Sequence, residues 1–524
     1  MDRRMMKRAQ RQAVLAAIAR REWLRQMLAL TAAGCVRRDS RGNARPSTVI
    51  MAVSSVEDIK PDNSDLDFLI FSSLAHADDA ARGDFVPRLA ASWEHSDDYL
   101  EWTYHLRRDV RWHDGVPVTA HDVKFTLDLL SHPDVAQYSF ESVWVVDDYT
   151  VTIRVRRSDN SGYHYQDDIV YYPKHLLEGL DPKTFMNWDF WTRPVGSGPY
   201  RFVRYQPGTM IEFEANPAYY RGKPKIERLV LKFVGTAGLT ELLSGQVDVV
   251  LKGLPSQIPR VLADPHFRVY YAVRPDAWVI YWKHNHPLFH DPRVRRALTL
   301  AIDRVECLRM RNLPADLPQS DGVFMPRVLF GGKLPAPLPY DPAEANALLD
   351  AAGWQARNGD GVRQRYGRAF RFTATVTSLD DLPGLAVLVQ AHLRRVGVQM
   401  EIQVLEDGVV WERTGFGQFE AAFEFHGYGF GPGTQKRFFG RGNRTGYSSP
   451  EAFRLIDAAV AATNPDELDR IYRELTEVYR ADLPVTRLVT ITRVVFAHRR
   501  LRGLQRLQGR PDRYMEDLWL EDER

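Results

Sequence analysis

Three groups of residues have types that chemistry uses, and their spacing limits what each can do. Asp97-Asp98 and Asp147-Asp148 are carboxylate pairs of the kind that serve as general acid and base. Each stands between two strand patterns, where Asp side chains close turns, so both are expected to be solvated turns. His284-Asn285-His286 with His290 places two imidazoles on one face of an expected strand, and two imidazoles can hold a transition metal. No acidic or thiolate third ligand has fixed spacing to them, so ordinary surface or hinge histidines are expected and no metal is assigned. Gly427, Gly429, Gly431 and Gly433 alternate strictly, whereas a dinucleotide loop needs G-x-G-x-x-G after a strand. The chain has no G-x-S-x-G elbow, no phosphate loop and no H-E-x-x-H. No catalytic residue and no cofactor are therefore expected.

The elements that would position a site belong to an ordinary globular chain. Of 524 residues, 44% are hydrophobic and 26% charged, which excludes a disordered or low-complexity chain. The length implies two or three compact units. A net charge of +3, with no basic stripe beyond the N-terminus, argues against a nucleic-acid partner. Two cysteines, Cys35 and Cys307, cannot make a disulfide framework or a four-thiolate zinc site.

The first segment has the order of an export signal. Arg3, Arg4, Lys7, Arg8, Arg11, Arg20, Arg21 and Arg25 stand against Glu22, and the short apolar stretch Met27 to Gly34 follows. Ala19-Arg20-Arg21-Glu22-Trp23-Leu24-Arg25 resembles a twin-arginine motif, and Ala32-Ala33-Gly34-Cys35 resembles a lipobox whose cysteine is lipidated. Residues 1–35 are accordingly read as an export signal with lipidation at Cys35, and residues 36–47 as a polar tether. No run of about 18 apolar residues occurs.

Farther on, Trp102, Tyr104 and Leu106 alternate with polar residues as in a half-buried strand. Thr119 and Asp122 approximate a capping box ahead of a helix. Gly196-Ser197-Gly198-Pro199 is a tight turn before the hairpin Tyr200 to Glu214. Leu229–Val234, Leu239–Leu243 and Val247–Leu251 form strand, helix and strand, which predicts a parallel pair. A long helix is expected from Asp291 through Ile302, and another over Pro342–Ala352 with Asp341 as its cap. Phe370–Thr377, Leu382–Val396 and Val398–Leu405 make a second strand-helix-strand unit. Helices capped by Ser449 and Asn464 precede a closing strand, Val485–His498. The fold class is α/β with mixed sheets.

Several segments together resemble the bacterial extracellular solute-binding proteins of family 5, which serve dipeptide, oligopeptide and nickel importers. They are Pro87 to Glu94, Trp102 to Arg107, Val110 to Phe125, Pro194 to Phe202, Asn216 to Tyr220, Leu242 to Asp248, and Asn285 with Asp291 to Arg304. The resemblance implies a two-lobed periplasmic-binding-protein clamp of type II-like form with a hinge, a ligand in the interlobe cleft, and no enzyme activity. Lobe I would cover 48–273, lobe II 274–488, and 489–524 would return to lobe I. The implied partners are a peptide or other small-molecule ligand, an ABC importer permease, and a membrane surface reached through Cys35; the protein would be a monomer outside the cytoplasm. Oligosaccharide or nickel-chelate binding is the alternative within the family, and an exported hydrolase the alternative outside it. Motif residues such as His113 and Gly198 are read as architectural.

One departure bears on the ligand. Peptide-binding members of the family carry an Asp before a Pro in lobe II, and it takes the peptide's ammonium. The matching stretch here is Phe423 to Pro432, and Gly431 stands in place of the acid. A buried ammonium without a carboxylate is costly, so a free-amine peptide is disfavoured. Glu424 could substitute only if the strand turns it to the right face. The ligand-binding candidates are Trp411, Glu424, His426, Tyr428, Phe430 and Phe438.

Overall fold

The computed structural model of the protein describes residues 47–53, 64–77, 85–98, 100–135, 137, 140–155, 169–317, 319, 336–379, 381–426, 432–462, 465–504 and 515–521. The basic run, Cys35, the tether up to Pro46, Tyr428, Phe430, Gly431 and Asn464 lie outside the described residues.

The first part of the chain builds one apolar core. It starts with β1 (Thr48–Val53) and α1 (Ser64–Ile70). β2 (Ala90–His95) and β3 (Glu101–Leu106) follow, and the expected alternation holds: Trp102, Tyr104 and Leu106 are all buried. The Asp122 carboxylate accepts the Thr119 N–H at 2.8 Å and opens α2 (Ala120–Leu130). β4 (Phe140–Asp147) and β5 (Thr150–Val155) meet at a turn in which Asp147 accepts the Tyr149 N–H at 2.7 Å. Asp98 likewise accepts from Ser96 and from the Leu100 N–H. Both carboxylate pairs are thus turn residues. The four strands form an antiparallel sheet in the order β2-β3-β5-β4.

The Gly-Ser-Gly-Pro turn is held by the motif histidine. His113 donates its backbone N–H to the Gly196 carbonyl at 2.7 Å. Its Nδ1 accepts the Gly196 N–H at 3.2 Å, which leaves Nε2–H to donate to the Gly198 carbonyl at 3.1 Å. The end of α1 presses on the same turn, and Gly198 N–H donates to the Ile70 carbonyl at 2.7 Å. The turn leads into β6 (Tyr200–Gln206), β7 (Met210–Ala215), β8 (Arg228–Phe233), α3 (Gly238–Leu243) and β9 (Val249–Gly253). β8 and β9 are parallel, as the pattern predicts, but they are not neighbours. β1 lies between them, pairing Thr48 with Arg228 on one side and Met51 with Val249 on the other. A strand supplied from far away in sequence fills the gap, and local order carries no trace of it.

The remaining strands extend this sheet. β10 (Phe267–Trp282) is followed by α4 (Pro292–Leu300) and α5 (Arg304–Met310). The long helix expected from Asp291 therefore ends at Leu300, because Asp303 caps a new one through the N–H groups of Val305 and Glu306 at 2.9 and 3.0 Å. α6 (Pro342–Ala351) begins at Asp341 as predicted, with the Glu344 N–H on its carboxylate at 2.8 Å. Then come β11 (Arg371–Thr377), α7 (Leu382–Arg395), β12 (Gln399–Leu405), α8 (Asp407–Gly415), β13 (Ala421–His426), α9 (Pro432–Phe439), α10 (Pro450–Ala461), α11 (Pro465–Asp482) and β14 (Val485–His498).

Ten strands form one mixed sheet in the order β12-β11-β13-β10-β14-β9-β1-β8-β7-β6. Its centre is the long antiparallel ribbon of β10 and β14, paired from Phe267 with His498 to Tyr281 with Val485 and shifted in register between Val273 and Ala277. Residues 277–282 of β10 add β13, whereas Val494 to Ala497 of β14 add β9. Each half of the sheet therefore grows from an opposite end of the ribbon. One core includes Val49, Trp112, Phe213 and Leu229, and a second includes Trp282, Leu298, Phe372 and Leu393. A third, with Tyr281, Phe439 and Tyr472, lies on the other face of the sheet from the second. The segment at 515–521 is clasped to the first core. Glu516 accepts from the buried Arg88 at 2.8 Å and from Arg221 at 2.5 Å.

Candidate functional site

β13 ends at the glycine-rich run, so its last residues set the walls of the candidate site. In register, Glu424 faces Val279 and His426 faces Ala277 of β10. Strand alternation sends Ala421 and Phe423 into the second core. Ala422 lies in the third core, and Glu424 and His426 share its side of the strand with Tyr281. Glu424 is thus on the opposite side from Phe423, and it is buried.

An arginine meets it there. Arg444 Nη2 donates to Glu424 Oε2 at 2.9 Å, and Arg444 Nη1 donates to the Thr414 hydroxyl on α8 at 3.0 Å. The guanidinium carbon lies 4.5 Å from the ring centre of Tyr281, 5.6 Å from Phe438 and 5.9 Å from Trp411. Phe438 in turn stacks on Tyr281 at 6.4 Å and 14°. Three rings, a carboxylate and a hydroxyl surround one cation, an arrangement that favours positive charge.

The loop presenting Arg444 is built by one residue. Asn443 accepts from the Thr445 N–H at 3.1 Å and from the Tyr447 N–H at 3.2 Å, and it donates to the carbonyls of Gly440 and Tyr447, both at 2.8 Å. The loop is fastened to the end of β10, where Lys283 donates to the Arg444 carbonyl at 2.8 Å and the His284 N–H to the Thr445 carbonyl at 2.8 Å.

His426 is fully enclosed, with its Nδ1 hydrogen-bonded to the Tyr281 hydroxyl and its ring 4.5 Å from Phe438. Burial, with Arg487 and Arg444 nearby, holds its pKa well below the usual imidazole range, so it stays neutral. Burial raises the Glu424 carboxyl, and the Arg444 charge works against that rise.

Of the six residues expected from sequence, Glu424, His426 and Phe438 come together around Tyr281 and Arg444. Trp411 stands at the rim, 42% exposed. Tyr428 and Phe430 lie outside the described residues. Sequence reasoning missed Arg444 and Tyr281. Gly440-Arg441-Gly442-Asn443-Arg444-Thr445-Gly446 has the composition of a solvated turn, and Asn443 among glycines is its only local cue.

The histidine cluster differs from its expected placement. β10 stops at Trp282, so His284 and His286 occupy a turn and share no strand face. His284 is buried, with Nε2 3.1 Å from the Pro484 carbonyl oxygen, and burial lowers its pKa to about 3. His286 faces Glu420 at 3.5 Å. Among the described residues no group of three or more His, Cys, Asp or Glu is placed to hold a metal ion. Cys307 is buried and its thiol is pushed up to about 12, which removes it as a nucleophile. No helix of the described residues is long and apolar enough to cross a membrane.

Known proteins share this architecture. The oligopeptide-binding protein AppA of Bacillus subtilis is 24% identical over 471 residues, covering 85% of this chain and 84% of its own. Among solved structures, NikA from Brucella suis in complex with Fe(III)-EDTA superposes with a TM-score of 0.78 at 20% identity, over 90% of this chain and 100% of that one. The ABC transporter-associated periplasmic binding protein DppA from Helicobacter pylori, in complex with the peptide STSA, gives 0.67 at 21% identity over 91% and 98%. The fold is therefore the two-lobed clamp of these proteins. The family model for the middle part of bacterial extracellular solute-binding proteins, family 5, matches residues 84–445, well over half of the chain, and the protein belongs to that family.

Proposed function

We propose that the protein captures a small organic solute, a peptide or peptide-like molecule in the first instance, between two lobes and delivers it to an ABC-type membrane importer. Family membership carries this reading, and relatives that bind oligopeptide or the peptide STSA support its ligand class. In this reading lobe I is 48–273 with 489–524, lobe II is 274–488, and β10 and β14 are the crossing strands that bend between them. Solute contacts both lobes only in the closed state and so shifts the equilibrium toward it. Trp411 and Phe438, with Tyr428 and Phe430, are the proposed solute-facing residues of the lobe II wall, and the buried Glu424 and His426 belong to the layer beneath it. The protein acts outside the cytoplasm and is held at the membrane by lipid on Cys35, since stable anchoring needs about two acyl chains.

Native and intact-mass spectrometry on protein from its own host tests both halves. The expected result is a chain that begins at Cys35, carries acyl groups, and releases one small solute on denaturation. A cytosolic chain beginning at Met1 would sink the export half. A protein that carries no solute and takes none up from the host's growth medium would sink the binding half.

A further inference from the structure

We propose that Arg444 determines ligand specificity: its guanidinium fills an aromatic, carboxylate-floored cage on the lobe II wall and so excludes ligands that present an ammonium or guanidinium group. This rests on the cleft placement proposed above.

The cage is assembled from separate elements. Glu424 comes from β13, Tyr281 from β10, Thr414 and Trp411 from α8, and Phe438 from α9. Arg444 comes from none of them; it arrives on the loop that Asn443 ties together. Removing the guanidinium would therefore leave the cage walls in place. The fit is also incomplete. Arg–carboxylate pairs usually engage both oxygens, yet Glu424 Oε1 is buried with no hydrogen-bond partner, and so is Arg444 Nε. The open Glu424 oxygen lies on the same carboxylate that holds Arg444. A cationic ligand arriving here would meet a carboxylate already neutralised and three rings already facing a cation. Ligands whose corresponding end is neutral avoid that competition.

The test compares wild type with R444A by calorimetry, using methylguanidinium as probe, and by retention of matched pools of free and N-acetylated tripeptides. R444A should bind methylguanidinium roughly tenfold or more tightly than wild type, and its thermal midpoint should rise with the probe while that of wild type does not. E424Q/R444A should lose the gain. The ratio of free to acetylated peptide retained should rise by a similar factor in R444A. Should R444A fail to fold alone, recovery of folded protein by millimolar methylguanidinium is the readout, and no recovery overturns the proposal. Equal binding of the probe by wild type and R444A also overturns it. If the probe rescues R444A but the peptide ratio stays fixed, Arg444 is only a structural staple and the specificity claim falls, while the solute-binding reading stands. If neither protein retains any solute, the reading of the function fails and the specificity claim falls with it.

Discussion

A methyl group placed on Gly196 is expected to remove most of the protein's stability. A Cβ there would sit 1.9 Å from the Ile70 carbonyl oxygen and 2.6 Å from its carbon. Those atoms are backbone at the end of α1 and cannot rotate away. Relief requires α1 to move, and the Gly198 N–H bond to Ile70 moves with it. Overpacking of this kind costs on the order of 3 kcal/mol or more, a large part of a total near 5–15 kcal/mol. Urea unfolding of Gly196→Ala measures the loss. Gly359→Ala is the control, since no atom lies within 4 Å of its added Cβ. A Gly196→Ala protein within about 0.5 kcal/mol of wild type would show that α1 does not press on this turn.

Much of this architecture was readable in advance because it depends on local chemistry. The alternation at Trp102, Tyr104 and Leu106, the Asp147 turn, and the caps at Thr119 and Asp341 each follow from residues a few positions apart. Where the outcome depended on distant chain, the reading stopped short. β1 separates β8 from β9, and nothing between Leu229 and Leu251 announces it. Asp303 ends the helix from Asp291, although Ala301 and Ile302 keep the helical spacing. The same limit applies to the site. Glu424, His426 and Phe438 were legible because they flank an aromatic, glycine-rich stretch. Arg444 and Tyr281 were not, since one sits in a loop of turn composition and the other in a strand more than a hundred residues away.

Acid should unfold the protein well above the range in which ordinary carboxylates titrate. In the fold burial lowers His113 to about 4 and His284 to about 3, and it holds His426 well below its usual range. An unperturbed imidazole titrates near 6.5. A depressed folded pKa means the unfolded chain takes up the proton first. The stabilisation is therefore complete above about pH 6.5 and is lost as pH falls toward 4. At one unit per 1.36 kcal/mol, His113 and His284 each withdraw about 2 kcal/mol between pH 7 and 5, and His426 acts in the same direction. Glu424, raised by burial, acts in the opposite sense. Asp98, Asp109 and Asp291 are lowered from 3.8 and titrate below this window. The urea midpoint should fall steeply from pH 7 to 5, and a flat profile over that interval would contradict neutral burial of these rings.

Affinity selection tests the central claim most directly. The full-length protein is mixed with equal pools of free and N-acetylated random tripeptides and short oligosaccharides, passed through a sizing column, and denatured, and the retained solutes are identified by mass spectrometry. A binding clamp with Arg444 in the cage of Glu424, Tyr281 and Phe438 should retain a discrete small solute that lacks a free terminal ammonium. The free-amine form of any retained peptide should be roughly 10- to 150-fold weaker than its acetylated partner, the cost of desolvating an ammonium that finds no free carboxylate. Preferential retention of free-amine peptides, or retention of nothing from any pool, would contradict the account.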